Sequence, residues 1–272
     1  MEQALQWDGP WPGALFAGIV LSQCAVAVYA LRFRTTMHIV GIELGLVETL
    51  RINTLSLFYQ FFVPLSVGAD VTKFVKLKAR DHSAFVSVGG IVLDHFVGLV
   101  TLVALSCGLL IWRQPLSFEI EIGLAALVVV LLMVTAGIFA IRFNRQGLLN
   151  FGAVAREVSR RRGLLIGALG LSLMMQALLA AAVFSASLGW GLEVEYLDIL
   201  FVMATALIFQ AVPLNLAGVG LAEVAGTGLY LAVGLPMSAA ILLVSLLYAY
   251  RLLSAIVGGA WDLLPQPNAS AR

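Results

Sequence analysis

The chain is 272 residues long, 61% hydrophobic and only 11% charged, with a mean hydropathy of +1.01 and a formal charge of +1. A soluble domain carries roughly 25% charged residues, so this chain is too poor in charge to cover a water-exposed surface, and bilayer is its solvent. At about 20 apolar residues per crossing there is room for about five to eight membrane segments. No basic stripe with interleaved aromatics appears, which excludes a nucleic-acid partner.

The N-terminus, MEQALQWDGPWPG, is acidic and does not read as a signal peptide, so the first apolar run, 12–31, is expected to be a retained anchor. It closes on Arg32 and Arg34, which the positive-inside rule places in the cytoplasm. Residues 36–50, with Glu43 and Glu48, read as an amphipathic interfacial segment. A short apolar run, 54–67, is broken by Pro64 and Gly68, and a basic stretch with Lys73, Lys76, Lys78 and Arg80 follows. Residues 84–112 form a long run interrupted by Asp94 and His95, and residues 122–141 form another. Arg142, Arg145, Arg156 and Arg160 to Arg162 then make 142–163 a cytoplasmic loop. Residues 164–188 span again, with Gly163, Gly167 and Gly170 at a spacing that suits close helix packing. The next loop holds Glu193, Glu195 and Asp198 and is external by default. Residues 199–212 run into Pro213, a glycine-rich break follows to Gly234, and 237–264 closes the chain with Arg251 near its middle.

Loop charge constrains the topology. Both flanks of 54–67 are basic, yet one full span cannot start and finish on the same side. The simplest solution is that 52–69 enters from the cytoplasm, turns at Pro64–Gly68 and leaves again. By the same logic 199–234 enters and leaves on the outside. The predicted fold is therefore an all-α polytopic membrane protein, one transmembrane domain over 1–272. It has inverted-repeat-like halves, about 12–112 and 121–264, and two re-entrant broken-helix hairpins. Irregular backbone at that depth is tolerated only when buried in protein or lining a wet cavity.

The two breaks resemble each other. Gln60 precedes Val-Pro64-Leu, Ser66, Gly68 and Asp70; Gln210 precedes Val-Pro213-Leu, Asn215, Gly218, Gly220 and Glu223. Proline frees an upstream carbonyl and glycine permits the turn, and corresponding Gly/Pro-interrupted segments in two halves mark a transporter site. Asp94 and Arg251 lie near the bilayer midplane, where a charge is expensive and must face the bundle or water. They either pair with each other or meet a ligand, since a guanidinium fork suits phosphate. His95 reads as a satisfied core histidine, and Asp70 with Lys73 as a solvated pair or a cavity rim. Cys24 and Cys107 sit in apolar runs and read as buried inert thiols. No metal-ligand cluster, nucleotide motif or hydrolase motif appears, so no cofactor, metal or catalytic residue is expected.

The block Pro64 to Asp70, with Lys73 and then Asp94-His95, resembles the first half-motif of the lysylphosphatidylglycerol synthase transmembrane family, which is flippase-like. His95 stands where that family usually has arginine. The block Pro213-Leu214-Asn215 through Gly218 and Gly220 to Glu223, then Arg251, is similar to its proline–glycine–glutamate element and late arginine, and Ala30 to Arg34 also matches. The resemblance covers nearly the whole chain and implies lipid handling: movement of an anionic phospholipid, aminoacyl-phospholipid or polyprenyl-phosphate-linked lipid between leaflets, without the synthase domain that makes the modified lipid. The expected partners are membrane lipids, with a homo-oligomer or a lipid-modifying enzyme as further candidates. The expected location is a bacterial or archaeal cytoplasmic membrane, N-terminus outside and C-terminus inside. A membrane glycosyltransferase using Asp70 or Asp94 as base, or an accessory subunit of one, is the alternative; a small-solute or ion transporter is the second.

Overall fold

The computed structural model describes residues 11–62, 68–80, 82–112, 156–210, 215–216 and 219–263. Among them are eight helices: α1 (Trp11–Ile39), α2 (Leu46–Phe62), α3 (Gly68–Lys78), α4 (Ala84–Trp112), α5 (Arg162–Gly189), α6 (Tyr196–Phe209), α7 (Leu221–Ala232) and α8 (Met237–Asp262). A two-residue antiparallel ladder, Asn215 opposite Gly220 and Leu216 opposite Val219, precedes α7. The chain is an all-α polytopic membrane protein. Four helices, α1, α4, α5 and α8, are long and apolar enough to cross a bilayer. The predicted span 122–141, and the loop 142–163 up to residue 155, lie outside the described residues.

The first helix does not stop at residue 31. It continues to Ile39 because nothing in LRFRTTMHI breaks a helix, so Arg32 and Arg34 are helical residues and not a loop. The segment 36–50 is accordingly no interfacial helix: it holds the last turn of α1, a turn at Gly41 (φ 87°) and the start of α2. In that turn the Ile42 N–H donates to the Met37 carbonyl and the Gly41 N–H to the His38 carbonyl, the glycine-closed helix end in which positive φ is required. The same bonds recur where α5 ends: the Leu192 N–H donates to the Ser187 carbonyl and the Gly191 N–H (φ 64°) to the Leu188 carbonyl. Thus 11–112 and 162–262 share one order of elements: long helix, glycine turn, medium helix, break, short helix, long helix.

α1 and α5 pack against each other along their length, and the bonds between them fix their sense. Ser185 Oγ donates to the Ala14 carbonyl (2.9 Å), Arg32 Nη1 to Ser172 Oγ (3.0 Å), and Arg161 to the His38 carbonyl. The start of one helix therefore meets the end of the other; they are antiparallel.

Both broken segments fold back on themselves. α2 packs on α3, and Arg80 beyond the end of α3 reaches Glu48 in the first turn of α2 (2.7 Å). α2 alone is about 25 Å long at 1.5 Å per residue, so an unbroken path would separate those groups by far more. α6 packs on α7, and Glu193, Val194, Glu195 and Asp198 share a surface cleft with Val233, Gly234 and Leu235. The first hairpin thus has its ends at the Ile39–Arg162 end of the α1/α5 pair and the second at the Trp11–Gly189 end.

Each hairpin packs its first arm on the closing helix of the other half. α2 lies antiparallel on α8: Arg51 donates to the Trp261 carbonyl (3.0 Å), Gly258 lies against the Thr54 backbone, and Phe61 meets Tyr248 edge-on (5.2 Å between ring centres). α6 lies on α4, with Thr205 Oγ1 donating to Ser106 Oγ (3.2 Å). The close approaches are at Gly18, Gly90, Gly98, Gly258 and Gly259. At Gly163, Gly167 and Gly170 an added methyl would meet nothing among the described residues. Cys24 and Cys107 are free and exposed on helix surfaces, not buried.

Candidate functional site

Beside the short arm of the first hairpin a buried charge cluster joins four helices. Arg32 on α1 grips Asp94 on α4 with two parallel bonds, Nε to Oδ1 and Nη2 to Oδ2, both 3.0 Å. Its remaining Nη1 bonds Ser172 on α5, and Thr36 adds a long contact to Oδ1 (3.4 Å). Lys73 on α3 approaches the same carboxylate (Nζ to Oδ2, 3.9 Å) and donates to the Tyr29 hydroxyl (2.6 Å). The ammonium also lies over the Tyr29 and Phe33 rings, at 4.9 and 4.6 Å from their centres. The side chains of Arg32, Lys73 and Asp94 are 6%, 1% and 1% exposed. Two cations therefore share one anion away from water, and cation–π contacts supply what the carboxylate does not.

Asp70, in the first turn of α3, is half-exposed and accepts from His95 Nε2 (2.8 Å). Its charge balances the buried excess. His95 is itself exposed on α4 and not a core histidine, and Asp70 pairs with it and not with a solvated Lys73. Because Asp94 and His95 are adjacent on one helix they point to different sides, yet both reach α3.

The expected Asp94–Arg251 pair does not form. Arg251 on α8 belongs to the second hairpin: Nη1 lies 3.8 Å from Glu223 Oε1, and the Gln210 amide oxygen accepts from Nη1 and Nη2 at 2.8 and 2.9 Å. Glu223 turns its other oxygen back to the Gly220 N–H (2.7 Å) at the start of α7. Glu223 and Arg251 line a narrow, mostly apolar cleft between α6, α7 and α8, and Tyr230 also lines it, its buried hydroxyl without a hydrogen-bond partner among the described residues.

Of the residues singled out in the sequence, Asp70, Lys73 and Asp94 come together in the first cluster, and Gln210, Glu223 and Arg251 in the second. Gly68 opens α3, its carbonyl accepting from Thr72 Oγ1 (2.7 Å). Gly220 closes the short ladder with Asn215, and Gln60 is half-buried near the end of α2. Pro64, Ser66, Pro213 and Gly218 lie outside the described residues. Sequence reasoning missed Arg32, Tyr29 and Tyr230. Arg32 had a signal: no helix breaker separates it from the preceding span, so it had to lie within the helix and find an anion.

The family described as the lysylphosphatidylglycerol synthase TM region matches residues 4–260. The chain belongs to this family. No curated protein matches it, and no solved structure does. As a lysylphosphatidylglycerol synthase TM region, the match takes in both hairpins and both charge clusters.

Proposed function

We propose that this chain moves an anionic lipid between the leaflets of a membrane, acting as a flippase or scramblase and not as an enzyme. The observation that carries the proposal is the pair of hairpins entered from opposite ends of an antiparallel α1/α5 core, each with a cation against its short arm, the buried Lys73 on α3 and the largely buried Arg251 on α8 beside α7. The halves are read as inverted repeats and the hairpins as re-entrant, since neither α2 nor α6 is long enough to cross the roughly 30 Å hydrocarbon core. Family membership favours a lipid as cargo, and the cations favour a phosphate-bearing headgroup. The basic residues Arg51 and Lys76, gathered with the end of α8 around Asp262, and Arg80 against Glu48 in the first turn of α2, favour a cytoplasmic C-terminus. The partners on this reading are membrane lipids alone.

The test is translocation of a fluorescent phosphatidylglycerol analogue in proteoliposomes, followed by its accessibility to an impermeant quencher. The expected rate exceeds that of protein-free vesicles and falls at least about tenfold in Lys73→Met and in Arg251→Met, the worth of one charge-assisted hydrogen bond. Empty-vesicle rates for phosphatidylglycerol, aminoacyl-phosphatidylglycerol and polyprenyl-phosphate analogues alike would refute the proposal.

A second reading has one observation in its favour. Asp70 with His95 is an exposed carboxylate–imidazole pair of the kind a general base uses, which suits transfer from a polyprenyl-phosphate sugar. Asp94, held by Arg32 out of water, does not suit that role. Product formation that disappears in Asp70→Asn would favour it.

A further inference from the structure

We propose that the Asp70–His95 pair is a proton-binding site, and that an anionic headgroup and a proton occupy the first hairpin together. This rests on the reading that an anionic headgroup binds beside Lys73.

Consecutive residues of α4 hold α3 in two ways. Asp94 makes the inner contact, to Lys73, buried and shared with Arg32; His95 makes the outer one, to Asp70, with side chains 57% and 41% exposed. The charged and titratable groups facing this pair can be named from every packed element. α3 contributes Asp70 and Lys73, α1 contributes Arg32 and Tyr29, α4 itself contributes Asp94, and α2, packed on α3, carries Glu48 and Arg51 in its first two turns and Tyr59 near its end. α5 carries no titratable side chain after Arg162, and α6 carries only Tyr196 and Asp198, both in its first turn.

With His95 neutral, the two cations Arg32 and Lys73 and the two anions Asp70 and Asp94 cancel. A headgroup with one negative charge breaks that balance in a region of low dielectric, where an uncompensated charge is costly. A proton taken up by the exposed His95 ring supplies the missing positive charge at the outer contact of this pair. In its hydrogen bond to ionised Asp70, His95 Nε2 carries the donated hydrogen, so the incoming proton adds from water to Nδ1. The imidazolium then restores neutrality and still holds Asp70. Because linkage is reciprocal, a headgroup that draws a proton in is itself held more tightly when the proton is present. Binding of an anionic lipid strengthens as pH falls.

Two measurements test this on the full chain. In the first, a soluble short-chain phosphatidylglycerol is mixed with detergent-purified protein in weak buffer near pH 7, and proton uptake is followed with an indicator dye. Uptake is expected in the native protein and none in His95→Arg, which is charged beforehand, or in His95→Gln, which cannot titrate. In the second, translocation of the fluorescent analogue is compared between about pH 8 and about pH 6; the native rate rises about fivefold or more, and both variants lose that dependence. Detergent melting curves confirm that the variants are folded. Absence of proton uptake on adding the lipid to the native protein overturns the inference. So does uptake that persists in both variants. Translocation without proton uptake removes the inference and leaves the transport reading intact; uptake without translocation does the reverse.

Discussion

Asp94 is the single residue whose loss should cost this fold most. It accepts both arms of the Arg32 guanidinium at 3.0 Å and faces Lys73 at 3.9 Å. Breaking a buried pair by removing one partner costs about 3–5 kcal/mol, because the other charge is stranded. Asp94→Ala strands two, so its cost belongs near the top of that range. Arg32→Met strands none, since Lys73 is already within reach of the carboxylate. For a chain of this size 1 kcal/mol moves a thermal midpoint by roughly 2–4 °C, so Asp94→Ala should melt roughly 10–20 °C below the native protein. Arg32→Met should fall well short of that. Adding Lys73→Met to Asp94→Ala removes one stranded charge and should recover part of the loss, a coupling of at least about 1 kcal/mol. Tryptophan fluorescence on heating in detergent reads all four proteins. Arg32→Met as damaging as Asp94→Ala, or a double variant no better than Asp94→Ala alone, would refute the shared-anion account.

Three further outcomes follow from the packing. Gly258→Ala sets a methyl against the Thr54 backbone and should destabilise by about 1–3 kcal/mol, whereas Gly167→Ala and Gly170→Ala on the open face of α5 should be neutral or stabilising by up to about 1 kcal/mol in the same melts. Single cysteines at Glu48, Lys78 and Arg162 should react with an impermeant maleimide from one side of oriented vesicles, and cysteines at Glu193 and Glu195 from the other; labelling of Lys78 and Glu193 from the same side would contradict the opposed hairpins. Tyr230→Phe removes a buried hydroxyl without a partner, so the free protein should be unchanged or more stable by about 1–3 kcal/mol; a marked loss of melting temperature would show that the hydroxyl is bonded.

Hydropathy and loop charge are enough to read the membrane class, the extents of α4, α5 and α8 to within two residues, and the break in the apolar runs on either side of α3 and α7. Each of those features is written locally, in run length and in the sign of flanking residues. The pairing of charges is not local. Asp94 has Arg251 and Arg32 both within an apolar environment in the sequence, and the choice between them depends on which helices α4 packs against. Treating Arg32 as a loop residue removed the correct partner before the choice arose. The glycine spacing in α5 is of the same kind: the pattern shows that close packing is allowed, and only the neighbouring helix decides whether it happens. His95, next to Asp94 on one helix, has to face another side of α4, and which side is exposed depends on where α3 packs and is not written in the sequence.

The two halves share a spacing but not a charge pattern, and the difference bears on how cargo is held. The same offset of 150 residues separates Gln60 from Gln210 and Lys73 from Glu223. In the first half the hairpin arm carries the cation and the long helix behind it the anion, Lys73 against Asp94. In the second the signs are exchanged, Glu223 on the arm and Arg251 on the long helix. The first pair is also tied down by Arg32 and Ser172, while the second is looser, at 3.8 Å, with a neutral amide from Gln210 as its other support. On the proposed transport reading, an anion reaching Lys73 meets a cation whose carboxylate is already committed to Arg32, and it competes for the ammonium with the Tyr29 hydroxyl (2.6 Å) more than with Asp94 (3.9 Å). Beside the second short arm it competes with Glu223 for Arg251 and pushes the arm that carries Glu223 away. On this reading the reversal of sign gives the two halves different tasks: the anion is held where the carboxylate is already tied to Arg32, and its arrival moves the arm whose carboxylate is loosely held.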